Sequence, residues 1–238
     1  MTYVEGFITP VPTAGRDAYL KHAAKAVPLF AEFGARRFVE AWGDDVPAGT
    51  RTDFARAVQA TDAETVLFSW LEYPDKATRD AATARMMSDP RMEEMGDMPF
   101  DGSRMVYSGF EAILDDGKTG GATYVDGFVA PVLPARRDDY LAMARAASVV
   151  FRDHGAMRVV ETWGDDLMRG QKTDFHRAVQ TEGEETVVFS WIEWPDKATR
   201  DAGMAAVMAD PRMQTPPSDM PFDGKRLIYG GFAVILDA

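Results

Sequence analysis

Two glutamates, an arginine and a set of aromatics recur at strand-like spacing in this chain. Phe38, Glu40 and Trp42 share one parity of a β-like segment, and Phe68, Trp70 and Glu72 share one parity of another. Phe54, Arg56 and Val58 share a parity on the segment between them. If these parities face the same way, two carboxylates and a guanidinium lie among aromatic rings. A carboxylate in an apolar pocket has its pKa raised and can act as general acid or base. A neighbouring arginine could hold an anionic substrate or stabilise an enolate. Glu40, Glu72 and Arg56 are therefore the candidate catalytic groups, with Trp42, Trp70 and Phe100 as candidate ligand-binding walls. A plainer account of the same residues stands beside this one: Arg56 pairs with Glu40 or Glu72 because buried charges are ordinarily paired, and the tryptophans fill core.

Every one of the candidate catalytic and wall residues has a twin. Laid over itself at an offset of about 121 residues, the chain repeats: Tyr3 meets Tyr124, Trp42-Gly43-Asp44-Asp45 meets Trp163-Gly164-Asp165-Asp166, and Phe68-Ser69-Trp70 meets Phe189-Ser190-Trp191. One extra residue near Ser218 brings Met98–Gly102 onto Met220–Gly224. The second candidate set is therefore Glu161, Glu193 and Arg177, walled by Trp163, Trp191 and Phe222. Retention in both copies suits an active site and a fold requirement equally. So long a period marks a duplicated domain, not a solenoid. Residues 1–114 and 124–238 are expected as two domains, joined by a polar, Gly-rich linker over 115–123.

Other chemistries are weaker. Asp44, Asp45 and Asp53, with Asp165, Asp166 and Asp174, could offer oxygen ligands to a divalent cation, but their spacing matches no known loop and Asp is common in turns. No metal site is expected. His22, His154 and His176 fall opposite Met143, Phe33 and Ala55, so no histidine is duplicated, which disfavours a symmetric haem or His-metal site; a site confined to the second copy stays open. The absence of cysteine excludes thiolate nucleophiles and disulfides. No phosphate-binding Gly-rich loop follows a strand, and no Gly-x-Ser-x-Gly elbow occurs. No cofactor is expected. The loop Asp97–Gly102 could lay Phe100 over a cavity mouth, or be a structured turn plugged by that ring.

The elements that would position these groups follow from periodicity. In the first copy a strand over Tyr3–Val11 leads to a helix from Thr13, the expected N-cap, to Phe33, stopped by Gly34 and kinked at Pro28. The kink is dispensable, because the twin of Pro28 is Val149. Strands are expected over Arg36–Trp42, Asp53–Ala60 and Thr65–Tyr73, with an edge loop over Gly43–Thr52 and a hairpin turn at 61–64. Asp75 should cap a second helix ending near Asp89-Pro90, and Met105–Leu114 should be the last strand. The order is a ferredoxin-like β-α-β-β-α-β. Both parities are apolar in Val66–Leu71 and in Met105–Leu114. Strands covered on one face only would alternate. Something must cover the second face, and the other repeat is the obvious candidate.

The chain has 238 residues, 46% hydrophobic and 27% charged, with 26 Lys and Arg against 38 Asp and Glu, a net charge of −12. That balance argues against nucleic-acid and anionic-membrane partners. There is no basic or long apolar leader and no run of roughly 18 apolar residues that could span a bilayer, so a cytoplasmic location is expected.

Longer phrases narrow the field. Tyr-Val-Glu-Gly-Phe at 3–7, Trp-Gly-Asp-Asp at 42–45, Thr-Asp-Phe-Ala-Arg-Ala-Val at 52–58 and Val-Leu-Phe-Ser-Trp-Leu-Glu-Tyr-Pro at 66–74 resemble the bacterial YbaA-like family (domain of unknown function 1428). So do Met-Ser-Asp-Pro-Arg-Met at 87–92, Asp-Met-Pro-Phe-Asp-Gly at 97–102 and Tyr-Ser-Gly-Phe at 107–110. The resemblance covers almost the whole of each repeat. It implies membership of the dimeric α/β-barrel group, whose usual single-copy members pair as homodimers; this chain departs by fusing two copies. The group spans cofactor-free monooxygenases, haem enzymes, small-molecule isomerases and proteins without known activity, so it transfers no catalytic residue.

The expectation is an α+β protein of two ferredoxin-like repeats packed sheet to sheet as an intramolecular pseudo-dimer of the dimeric α/β-barrel type. Its expected role is small-molecule binding in two related pockets; whether it also catalyses, as a cofactor-free enzyme acting on a compact organic substrate, is left open by the residues. The alternatives are a non-catalytic, stress-associated binding module and a purely structural interaction module, the last of which predicts no open cavity.

Overall fold

The computed structural model describes residues 2–214 and 219–238. The first repeat runs β1 (Tyr3–Pro12), α1 (Arg16–Glu32), β2 (Arg37–Asp45), α2 (Phe54–Ala57), β3 (Glu64–Tyr73), α3 (Lys76–Met86), α4 (Pro90–Glu93) and β4 (Val106–Gly117). The second runs β5 (Tyr124–Val132), α5 (Arg137–Asp153), β6 (Arg158–Asp166), α6 (Phe175–Ala178), β7 (Thr186–Trp194), α7 (Lys197–Ala209) and β8 (Ile228–Asp237).

Local chemistry sets the boundaries. Asp75 caps α3 by accepting from the Thr78 amide, and Asp196 does the same for α7 from Thr199. Gly34 and Gly155 end the long helices at φ of +108° and +101°, a region closed to most side chains. Pro28 is accommodated within α1, and Val149 is its exposed counterpart in α5. Thr13 does not cap α1. It opens a single 3₁₀ turn, Thr13–Gly15, and its hydroxyl pairs with that of Thr65.

Three expected boundaries are corrected. The segment over Asp53–Ala60 is not a strand, because the Asp53 carboxylate accepts the Arg56 amide and nucleates α2 instead. Strand β2 runs on through Gly43–Asp45, which had been assigned to a loop. Asp115–Gly117, expected in the linker, extend β4.

Each repeat supplies four antiparallel strands, ordered β4-β1-β3-β2 and β8-β5-β7-β6. The edges then join, β2 to β8 and β4 to β6, closing one barrel, β1-β3-β2-β8-β5-β7-β6-β4. The two-sided apolar strands are thereby explained: one face lines the barrel and the other lies under helices. Closure also leaves no unpaired sheet edge to recruit further strands.

The barrel is filled, not hollow. Phe68 and Phe189 stack at 4.3 Å with ring planes 3° apart, and Trp70 and Trp191 form the next layer at 4.5 Å. Such close stacking needs Gly6 and Gly127 on the facing strands, where a Cβ would come within 3.0 Å of the Phe189 ring and 2.7 Å of the Phe68 ring. Helices α2 and α6 close one end, with Phe54 and Phe175 edge-on to the phenyl stack. Thr52 Oγ1 donates to the Ala178 carbonyl at 2.6 Å and Thr173 Oγ1 to that of Ala57 at 2.5 Å, so each repeat fastens the other's cap.

Candidate functional site

The candidate residues divide between two faces of the sheet. On β3, Phe68 and Trp70 join the barrel core while Leu71 packs beneath the helices. On β2, Val39 and Ala41 face inward and Phe38 outward. Alternation therefore sends Glu72 into the barrel and Glu40 out of it. The two carboxylates do not share a pocket, and neither meets Arg56. That residue lies on α2, not on a strand; its side chain is 54% exposed and donates to the Gly49 carbonyl. Arg177 repeats the arrangement on α6, donating to Gly170.

Inside the barrel, opposite the helical caps, Glu72 and Glu193 meet two arginines. Arg158 donates to Glu72 at 2.8 and 3.0 Å and to Asp115 at 2.7 and 2.8 Å. Arg37 likewise holds Glu193 at 2.7 and 3.0 Å and Asp237 at 2.7 and 2.9 Å. The Trp70 and Trp191 indoles donate to Glu72 and Glu193. Each arginine thus clamps carboxylates of the other repeat. Burial pushes Glu72 upward, but its bonds to Arg158, aided by Trp70 and Arg37, prevail and hold it below the usual carboxylate range. This end of the barrel is a saturated ion network, with the bidentate pairing that steadies buried charge. Arg56 pairs with neither Glu40 nor Glu72, and the buried charge of Glu72 is paired with Arg158 instead.

Glu40 has a different setting. It projects beneath α1, where Tyr19 donates to its Oε2 at 2.9 Å and Ser69 donates to the same oxygen. Its Oε1 has no hydrogen-bond partner among the described residues, and no cation sits beside it. Burial raises its pKa to about 7, against the smaller opposing effect of the two hydroxyls. Glu161 repeats this, taking bonds from Tyr140 at 2.5 Å and from Ser190, and burial raises it too.

Both outer carboxyls line cavities. The first, about 330 Å³, lies between α1 and the sheet and contains Tyr19, Glu40, Ser69 and Phe100 under a rim of Met92, Met95, Met98 and Met105. The second, about 420 Å³, contains Tyr140, Glu161, Ser190 and Phe222, with Met143 where the first has His22. Phe100 packs 5.7 Å from Tyr19 and Phe222 6.2 Å from Tyr140, so both rings reach the cavities from their loops. A purely structural module would be expected to have no such cavity.

The tryptophans divide differently from expectation. Trp70 fills the barrel interior; Trp191 does the same and also borders the second cavity. Trp42 lies under the Arg16 guanidinium and Trp163 beside Tyr140 and Arg137, outside the lining of either cavity. Reasoning from spacing missed Tyr19, Ser69, Tyr140 and Ser190. Ser69 carried the usable signal, a lone hydroxyl within an apolar strand and repeated as Ser190.

The paired aspartates are structural. Asp44 accepts from Tyr124 at 2.9 Å and Asp45 from Arg200 at 2.8 Å, while Asp165 and Asp166 take Tyr3 and Arg79 of the first repeat. Asp53 and Asp174 cap α2 and α6. No group of three or more His, Cys, Asp or Glu among the described residues could hold a metal ion. His154 lies 3.0 Å from Asp210, and His176 contacts Thr181. No helix of the described residues is long and apolar enough to cross a membrane.

The family described as "Protein of unknown function (DUF1428)" matches twice, over residues 2–102 and 123–224. The uncharacterized protein YbaA of Escherichia coli K12 is 60% identical over 117 residues, 49% of this chain and 100% of the relative. Among solved structures, a candidate monooxygenase from Lactobacillus acidophilus superposes with a TM-score of 0.61 at 10% identity, covering 100% of this chain and 95% of that one. Another, from Fusobacterium nucleatum, gives 0.60 at 10% identity, covering 99% and 93%. At such identities these likenesses establish the fold alone.

Proposed function

We propose, from the premise that this chain belongs to the DUF1428 family, that it is a cytosolic protein binding a compact organic molecule in each outer cavity, with Glu40 and Glu161 as its proton-exchanging groups. The observation that carries this reading is the unpartnered Oε1 of a buried glutamate whose other oxygen is held by a tyrosine and a serine. Apolar walls and methionines accommodate a hydrophobic skeleton, and the glutamate with its tyrosine and serine offers a fixed polar point that orients it, the usual constitution of a small-molecule site. A carboxyl poised near neutrality can take a proton from a bound hydroxyl or activated C–H and return it elsewhere on the same molecule. Tyr19 and Ser69 would stabilise the carboxylate in between. On this reading the reaction is a cofactor-free conversion of that molecule, with the monooxygenase descriptions of the fold neighbours as supporting analogy.

The test uses 2-naphthol and naphthalene as matched probes in calorimetric titration. The proposal expects two naphthol sites per chain, affinity lost by about tenfold in Glu40→Ala/Glu161→Ala, and weaker naphthalene binding that the substitutions leave unchanged. Indistinguishable binding of both probes to both proteins would refute the role of the carboxyls.

A further inference from the structure

The repeats match so closely that a cluster of departures stands out. Ala48, Ala55 and Ala60 of the first copy stand where the second has Arg169, His176 and Thr181. These three replacements converge. Together with Arg177 and Gln180 they line one surface cavity of about 320 Å³ beside α6. It shares no lining residue with the cavity of Glu161.

The chemistry of this cavity is cationic in a chain of net charge −12. Arg177 Nη1 donates to the Gly170 and Gln171 carbonyls at 2.9 and 3.2 Å and lies 3.5 Å from Asp174, which fixes the guanidinium in place. Its Nη2 and Nε make no hydrogen bond among the described residues. Arg169 forms no ion pair or hydrogen bond among them either. His176 Nδ1 lies 3.1 Å from Thr181 Oγ1, leaving the second ring nitrogen without a described partner. Burial pushes the imidazole pKa down and Arg169 adds to the effect, while Asp174 opposes it. Two guanidiniums with spare N–H groups, an imidazole and a hydroxyl match the tetrahedral acceptor array of a phosphoryl group, and the Gln180 carboxamide, which donates to the Arg51 carbonyl at 3.3 Å, keeps one N–H to spare.

We propose that the second repeat carries a binding site for a phosphoryl anion, free or as a monoester, formed by Arg169, His176, Arg177, Gln180 and Thr181, and that the first repeat lacks it. The site is shallow and largely open to solvent, with Arg169, Arg177 and Gln180 exposed, so its affinity is modest and falls with salt. It stands apart from the glutamate cavities and survives or fails independently of them.

Histidine ring NMR of the full chain tests this, with His22 and His154 as internal references. Inorganic phosphate and glucose 6-phosphate are titrated separately against chloride at matched ionic strength. The expected result is a saturable shift confined to His176, with its pKa rising as anionic charge arrives. Arg169→Ala, which installs the residue the first copy already tolerates, should weaken binding about tenfold while His176 still reports it. Grafting Ala48→Arg, Ala55→His and Ala60→Thr should create a second site. Saturation by phosphate alone assigns the free anion, and tighter binding of the ester assigns a monoester. Equal responses to chloride and phosphate, or undiminished binding in Arg169→Ala, would overturn the proposal.

Discussion

Glu40 and Glu72 occupy neighbouring strands of one sheet, both buried, yet they do opposite things. Glu72 points inward and meets Arg158 and Arg37, which keep it ionised and make it a strut between repeats. Glu40 points outward, meets only hydroxyls, and is pushed toward neutrality beside a cavity. The side chain is the same and the burial is similar. What differs is the partner: a fixed cation turns a buried carboxyl into structure, whereas neutral donors leave it free to trade a proton. Glu161 and Glu193 repeat the difference in partners across the pseudo-dyad, Glu161 with Tyr140 and Ser190 and Glu193 with Arg37.

Parting the two repeats should have the strongest consequence for the molecule. Separating the chain into residues 1–117 and 118–238 strips the inward glutamates of their cross-repeat arginines and opens both barrel seams. Each half alone should dimerise or aggregate in sedimentation experiments; a compact, soluble monomer at high concentration would contradict the account. Next, Glu72→Gln should destabilise by about 2–3 kcal/mol in urea denaturation at pH 7, because Arg158 loses one of its two bidentate carboxylates while Asp115 and Glu193 still balance its charge. Because the folded pKa of Glu72 is depressed, its contribution is present above the unfolded value and fades as pH falls through the folded one.

Glu40→Gln should do the reverse. The folded pKa of about 7 lies above the ordinary 4.5, so Glu40 favours the fold fully below 4.5 and loses that contribution as pH rises through 7. The amide variant removes the penalty. It should gain up to about 3 kcal/mol relative to wild type between pH 5 and pH 8, read from the difference in urea midpoints. Smallest in stability is Phe100→Ala, at about 1–2 kcal/mol for a half-buried ring, with a wider cavity mouth and faster ligand exchange by stopped flow.

Much of the architecture was legible because duplication and two-sided hydrophobicity both demand a partner for each half. The Asp75 cap and the helix-ending glycines were equally readable, being local. The site was legible only in part. Glu40, Glu161, Phe100 and Phe222 are candidates from the sequence that do line cavities, but the faces of the sheet could not be read. Parity gives alternation within a strand and says nothing about which parity of its neighbour points the same way; that depends on register, here Arg37 opposite Glu72 and Glu40 opposite Ser69. Arg56 misled for another reason. Asp53 can end a strand or cap a helix, and only the packing of Phe54 against the phenyl stack selects the cap. Tyr19 passed as ordinary helix core because its ring does pack there while its hydroxyl reaches Glu40.

The contrast between the two glutamate pairs is most directly tested by carboxyl-carbon NMR titration of glutamate-labelled protein, assigned with Glu40→Gln and Glu161→Gln. Glu40 titrating close to neutrality and Glu161 above the usual carboxylate range, with Glu72 still ionised at pH 4.5, is the result this account predicts. Ordinary carboxylate behaviour for Glu40 and Glu161, ionised throughout at pH 5.5, would contradict it.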